Sequence, residues 1–106
     1  MSENTRARLA ADDRLLHAIV KIKRYNKNYK KATGTPGTVT YFHTWSQTFS
    51  NTYSGYVEDV ILVIRAWGCP GVAKDVEECI NVIRFFGLTD KADELQAELD
   101  NWKAYQ

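Results

Sequence analysis

The stretch YVEDVILVIRAW, Tyr56 to Trp67, decides how the rest of the chain is read. Val60, Ile61, Leu62, Val63 and Ile64 form one unbroken apolar run, and charge enters only at Glu58, Asp59 and Arg65. A segment apolar almost all round needs neighbours on most of its sides. By itself such a run suits a buried strand as well as a buried helix. The residues upstream favour helix. Phe42, Trp45, Phe49, Tyr53, Tyr56, Val60, Val63 and Trp67 step by three or four without a miss, a helical register that passes through residues 39–53 into the run. Composition pulls the other way there, because VTYFHTWSQTFSNTY is rich in Thr, Ser and aromatic residues, which favour strands. A two-stranded hairpin at 39–53 is therefore the alternative, and within the helical reading a kink or break is expected near Ser54-Gly55.

Downstream, WGCPG reads as a tight helix–helix turn. Gly68 stands where a left-handed residue closes a helix, and Pro70 suits the first position of the next. That next helix is expected over 70–86, with Val72, Val76, Cys79, Ile80, Ile83 and Phe86 on one face. Gly87 ends it, with Leu88 making the apolar contact that accompanies such caps. Thr89 is the expected cap of a last helix whose inner stripe is Ala92, Leu95, Leu99 and Trp102. A faint repeat links Val63–Pro70 to Val82–Thr89, and it reads as two similar helix C-termini rather than a solenoid period. Upstream, residues 5–31 form a long first helix capped by Asn4 or Thr5, with Leu15, Ala18, Ile19, Ile22, Tyr25 and Tyr29 as its apolar stripe. Gly34, Pro36 and Gly37 make 32–38 a loop.

The expected fold is all-α: a compact four- to five-helix bundle with antiparallel C-terminal helices, or, on the alternative, α+β with a small hairpin at 39–53. With 106 residues the chain reads as a single helical domain, 1–106, large enough to bury roughly 60–70% of its unfolded surface. No apolar stretch approaches the ~20 residues that span a bilayer, and the polar start MSENTRARLAADDR does not resemble a secretory signal. A cytoplasmic protein with no membrane partner is the expectation. Cys69 and Cys79 lack a CxxC spacing and have only His17 and His43 to complete a metal site, so two reduced thiols, no metal and no cofactor are expected.

Charge carries the functional lead. Residues 1–51 hold nine Lys/Arg against three Asp/Glu, or +6, and residues 52–106 hold five against ten, or −5. The run KIKRYNKNYKK, residues 21–31, has six basic residues and no acid. Projected on a helix, Lys23, Arg24, Lys27, Lys30 and Lys31 share an arc beside the apolar stripe. Such an arc can bind phosphates by displacing condensed counterions, or can pair with the acidic half of the same chain. Tyr25 and Tyr29 are interleaved with it but belong to the apolar stripe, so they read as core before they read as stacking platforms. A second lead is the aromatic segment, where Tyr41, His43 and Trp45 are the candidates for contact with a protein partner.

No catalytic constellation stands out. His43 near Ser46 and Ser50 lacks an orienting third group and a G-x-S-x-G frame, Glu58 and Asp59 point in different directions, and GTPG has neither the spacing nor the lysine of a phosphate-binding loop. The clusters Asp75, Glu77, Glu78 and Asp90, Asp93, Glu94, Glu98, Asp100 read as solvated helix faces. The leading functional expectation is a non-enzymatic module whose first-helix surface contacts DNA or RNA phosphates within a nucleoprotein assembly. The alternative is a small inhibitor or adaptor, of the phage or immunity type, that docks on a larger protein complex through exposed aromatics and the acidic C-terminal helix. No small-molecule substrate is evident.

Overall fold

The structure is a computed structural model and describes residues 2–34 and 42–106. Four helices account for nearly all of them: α1 (Glu3–Gly34), α2 (Phe42–Trp67), α3 (Ala73–Phe85) and α4 (Thr89–Lys103). No strand occurs among the described residues, so the helical register of the aromatic segment prevails over its strand propensity from Phe42 onward. Residues 39–41 of the alternative hairpin lie outside the described residues, as do residues 35–38 of the expected loop.

The reason the register wins is burial. Phe49, Val57, Val60, Ile61, Val63 and Ile64 of α2 are buried, and Trp45, Tyr53, Tyr56 and Trp67 pack half-buried around them. This face spans both the aromatic and the aliphatic halves, so it favours one continuous helix. The expected break at Ser54-Gly55 is absent. Both residues are exposed, and nothing lies within 4 Å of where a Gly55 Cβ would sit. Glycine there costs the helix only about 0.5–1 kcal/mol against alanine, which packing on either side outweighs.

The pairings give the topology. Arg8 donates to the Trp67 carbonyl (3.1 Å), while Tyr25 and Tyr29 meet Trp45, so α1 and α2 run antiparallel. Arg84 with Asp93 and Lys103 with Glu77 make α3 and α4 antiparallel, as the short turn between them requires. Lys91 with Glu58 and Arg65 with Glu98 set α4 parallel to α2. Helix α1 packs on α2 and α3, and α4 packs on the same two. Consecutive helices α2 and α3 thus lie diagonally across the bundle. One core fills its centre, with Ile22, Phe49, Val60, Ile83, Phe86 and Leu95 among its fully buried residues. Among the described residues, no helix is long and apolar enough to cross a membrane.

Several helix ends differ from expectation for local reasons. Helix α1 is capped by Ser2, whose Oγ accepts from the Thr5 amide at 3.2 Å, rather than by Asn4 or Thr5. It runs on to Gly34, its last turn braced by the Thr33 hydroxyl donating to the Lys30 carbonyl (2.9 Å). Gly68 has φ +77° as expected and donates to the Ile64 carbonyl. Pro70 does not open α3, however. The Val72 amide donates to the Cys69 carbonyl (3.2 Å) and Gly71 has φ +81°. Pro70 and Gly71 are therefore the central pair of a type II turn, and α3 starts three residues later. At the far end of α3 the Leu88 amide donates to the Ile83 carbonyl and Gly87, at φ +96°, to that of Arg84. This is a Schellman closure, with Leu88 packed against the core. Leu88 consequently occupies the cap of α4, and Thr89, already inside the helix, makes no capping hydrogen bond.

Candidate nucleic-acid interface

The basic arc of α1 forms one wall of a groove against α3, with a volume of about 880 Å³. The apolar stripe of α1 is buried on α2 and α3, which turns Arg24, Lys27 and Lys30 outward at spacings of three residues. All three are exposed, and none has a carboxylate within 4 Å among the described residues. Lys31 is exposed in the last turn and has partners within the chain. Lys23 is different. Its Nζ lies 2.8 Å from Asp75 Oδ1 and 3.2 Å from Glu78 Oε2 on the opposite wall. The hydrogen bond to Asp75, then that to Glu78, raises its pKa above the ordinary lysine value. Lys23 thus ties the walls together, and of the five arc residues Arg24, Lys27 and Lys30 are the ones left to meet an outside anion.

The charge split is resolved by who pairs with whom. Arg65 bonds Glu94 and Glu98, Arg84 bonds Asp93, Lys91 bonds Glu58 and Glu94, and Lys103 bonds Glu77. Four of the five cations in the acidic half are thus spent on acids of that same half. Lys23 makes the ion pair that crosses between halves, and Arg8 pairs with Asp12 inside the first. Among the described residues no acid of the second half lies within 4 Å of Arg24, Lys27 or Lys30, and α4 packs chiefly on α2 and α3.

The tyrosines of the basic run are core residues. Tyr25 is buried among Trp45, Phe49, Tyr53 and Phe86, with ring centroids 4.6–5.4 Å away, and its hydroxyl donates to the Trp45 carbonyl at 2.7 Å. Burial pushes its pKa up. Tyr29, half-buried, is ringed by Phe42, Trp45, Phe85 and Phe86. Besides Tyr105 near the end of the chain (81%), Phe85 (49%) and Phe42 (42%) keep substantial exposure, and these two lie 5.1 Å apart between centroids. Phe85 also lines the groove. In sequence, Phe85 lies outside the apolar register of Val76, Cys79, Ile80, Ile83 and Phe86.

The three residues expected to meet a protein partner are dispersed in character. His43 is exposed in the first turn of α2 and Trp45 is half-buried with Tyr25 and Tyr29 against it. Tyr41 lies outside the described residues. Ser46 Oγ is buried without a hydrogen-bond partner among the described residues, so His43 does not engage it. His17 is exposed on α1, 5.6 Å from the Tyr56 ring. Cys69 and Cys79 are buried free thiols, and burial raises both, Cys79 to about 12. Among the described residues no group of three or more His, Cys, Asp or Glu is placed to hold a metal ion. No known protein family, curated protein or solved structure matches this chain.

Proposed function

We propose that the chain is a non-enzymatic helical binding module whose α1 surface contacts the phosphates of a nucleic acid. The observation that supports this reading is the pairing pattern. In a chain of net charge +1, Arg24, Lys27 and Lys30 stand exposed on one helix with no carboxylate within 4 Å among the described residues, while four cations of the acidic half pair with acids of that same half. Lys31 continues the same surface, and Lys23 acts from the groove wall. Each phosphate contact displaces condensed counterions, so affinity falls steeply with salt. The test is a fluorescence anisotropy titration of labelled DNA and RNA at low salt with the wild type and with Lys27→Glu/Lys30→Glu. The expected result is binding by the wild type and its loss in the double variant, with the far-UV circular dichroism unchanged. A wild type that binds neither DNA nor RNA at low salt removes the proposal.

A second reading, an inhibitor or adaptor for a larger protein complex, is favoured by one observation: Phe42 and His43 are exposed together at the start of α2. The acidic side of that reading is weaker, because Asp93, Glu94 and Glu98 of α4 are held by Arg84, Lys91 and Arg65. A stoichiometric protein partner recovered after nuclease treatment would support it.

A further inference from the structure

The groove has a second property that phosphate binding does not use. Its floor is apolar: Val20 of α1 (47% exposed) and Phe85 of α3 (49% exposed) both line it, together with the buried Val82. Three aromatic neighbours hold the Phe85 ring: Phe42 and Phe86 at centroid distances of 5.1 Å and steep angles of 68° and 77°, and Tyr29 at 5.5 Å and 59°. Phe85 is therefore an oriented ring with half of its surface in water. The two sides of the groove differ in charge. Arg24, Lys27 and Lys30 line the α1 side, and Asp75 and Glu78 line the α3 side, where Lys23 offsets one of their two charges. Asn26 and Asn81 place one amide on each side.

We propose that this groove takes single-stranded rather than duplex nucleic acid, with the backbone along Arg24, Lys27 and Lys30 and unstacked bases on Phe85 and Val20. The inference rests on the phosphate-binding reading above and narrows it. A positive track beside an exposed aromatic ring is the combination by which proteins hold single strands, and each base stacked on such a ring adds substantially to affinity. A duplex gains little from the apolar floor, since its bases already stack on one another. A duplex also carries a second phosphate backbone toward the Asp75–Glu78 wall, where the residual charge is negative and repels it. A single strand places its anionic edge on one wall and leaves its less charged base edge for the other. Base selectivity is expected to be slight, because every base offers a stacking face and two amides are a sparse code for base edges.

The experiment compares three probes at equal ionic strength: a fluorescein-labelled 15-nucleotide single strand, the same sequence as a duplex, and inorganic polyphosphate as a competitor. The wild type is expected to bind the single strand at least about tenfold more tightly than the duplex. Phe85→Leu, which keeps an apolar side chain at the site, should weaken single-strand binding about tenfold and leave competition by polyphosphate within twofold. Phe85→Trp should retain binding. Should Phe85→Leu lower the thermal midpoint, the wild-type comparison of single strand with duplex decides alone. Equal or tighter duplex binding overturns the inference while leaving phosphate contact intact, as does a Phe85→Leu variant, folded as the wild type, that binds the single strand unchanged. Failure to bind any of the three probes overturns both, including the case in which a protein partner is found instead.

Discussion

Replacing Gly68 by alanine should damage this protein more than the same change at either of the other left-handed glycines among the described residues. Gly68, Gly71 and Gly87 have φ of +77°, +81° and +96°, so an alanine at any of them carries a conformational cost of about 1–2 kcal/mol. Only at Gly68 is the added Cβ obstructed. It would fall 2.1 Å from Nε1 of Trp102 and 2.4 Å from its Cδ1, whereas nothing lies within 4 Å at Gly71 or Gly87. Trp102 is half-buried against the core at the end of α4, so its ring can retreat only by giving up packing. Overfilling a packed site costs about 1–3 kcal/mol more. Gly68→Ala should therefore lose about 2–5 kcal/mol and Gly87→Ala about 1–2. At about 4–8 °C per kcal/mol for a domain near this size, the Gly68 variant should melt at least about 8 °C below wild type. The assay is thermal and urea unfolding followed by far-UV circular dichroism. Trp102→Ala supplies the cross-check, because in that background Gly68→Ala should cost no more than Gly87→Ala does in the wild type. Equal losses at Gly68 and Gly87, with Trp102 intact, would refute the close approach of α4 to the α2–α3 turn.

Three further outcomes follow from the same packing. Gly55→Ala should raise stability by about 0.5–1 kcal/mol in urea unfolding, since Gly55 lies inside continuous α2 and faces open space; a loss would mean that the helix breaks there after all. Cys69 and Cys79, both buried and both raised in pKa, should resist a thiol-specific chromogenic reagent at pH 8 until urea is added, and rapid native reaction of either would contradict their placement. Glu94 is held below its usual pKa, first by the Lys91 hydrogen bond and then by Arg65. A depressed folded pKa contributes stability above the unfolded value of about 4.5 that is lost as pH falls through the folded one. The urea midpoint of wild type should thus fall more between pH 6 and pH 3 than that of Glu94→Gln, and equal falls would show that the pairing is not maintained in solution.

Much of this fold could be read from residue spacing. The three- and four-residue steps from Phe42 to Trp67 are the α2 helix, because a single buried face was strong enough to override Thr, Ser and aromatic strand preference. Gly68 and Gly87 announced two helix ends by the same chemistry. Pro70 was misplaced because proline suits the first turn of a helix and the second position of a β-turn equally well; Gly71, which supplies the positive φ of a type II turn, separated the two. Thr89 was displaced by its neighbour, since the Schellman closure of α3 draws Leu88 into the cap. The diagonal relation of α2 and α3 had no local signature, because it depends on α1 and α4 both packing between them.

The site was legible as a set of cations and not as a surface. Helical projection brought Lys23, Arg24, Lys27, Lys30 and Lys31 together, but it could not separate Lys23, whose acids lie 52 and 55 positions away at Asp75 and Glu78. Nor could sequence decide whether the acidic half would neutralise the arc. Arg65, Arg84, Lys91 and Lys103 pair with five of its ten acids, Glu58, Glu77, Asp93, Glu94 and Glu98, and among the described residues only Asp75 and Glu78 reach across to the arc, at Lys23. Phe85 lies off the apolar register that Phe86 completes, so residue spacing assigns it no contact, and its place in the groove depends on how α3 packs on α1.

The functional account stands on whether Arg24, Lys27 and Lys30 meet phosphate. Anisotropy titrations of a labelled single strand across a series of salt concentrations measure this. Three phosphate contacts predict a log–log slope of affinity against salt of about −2 to −3, and any residual binding by Lys27→Glu/Lys30→Glu should show a slope no steeper than about −1. Affinity that does not change with salt, or a slope that survives the double charge reversal in a folded protein, would contradict it.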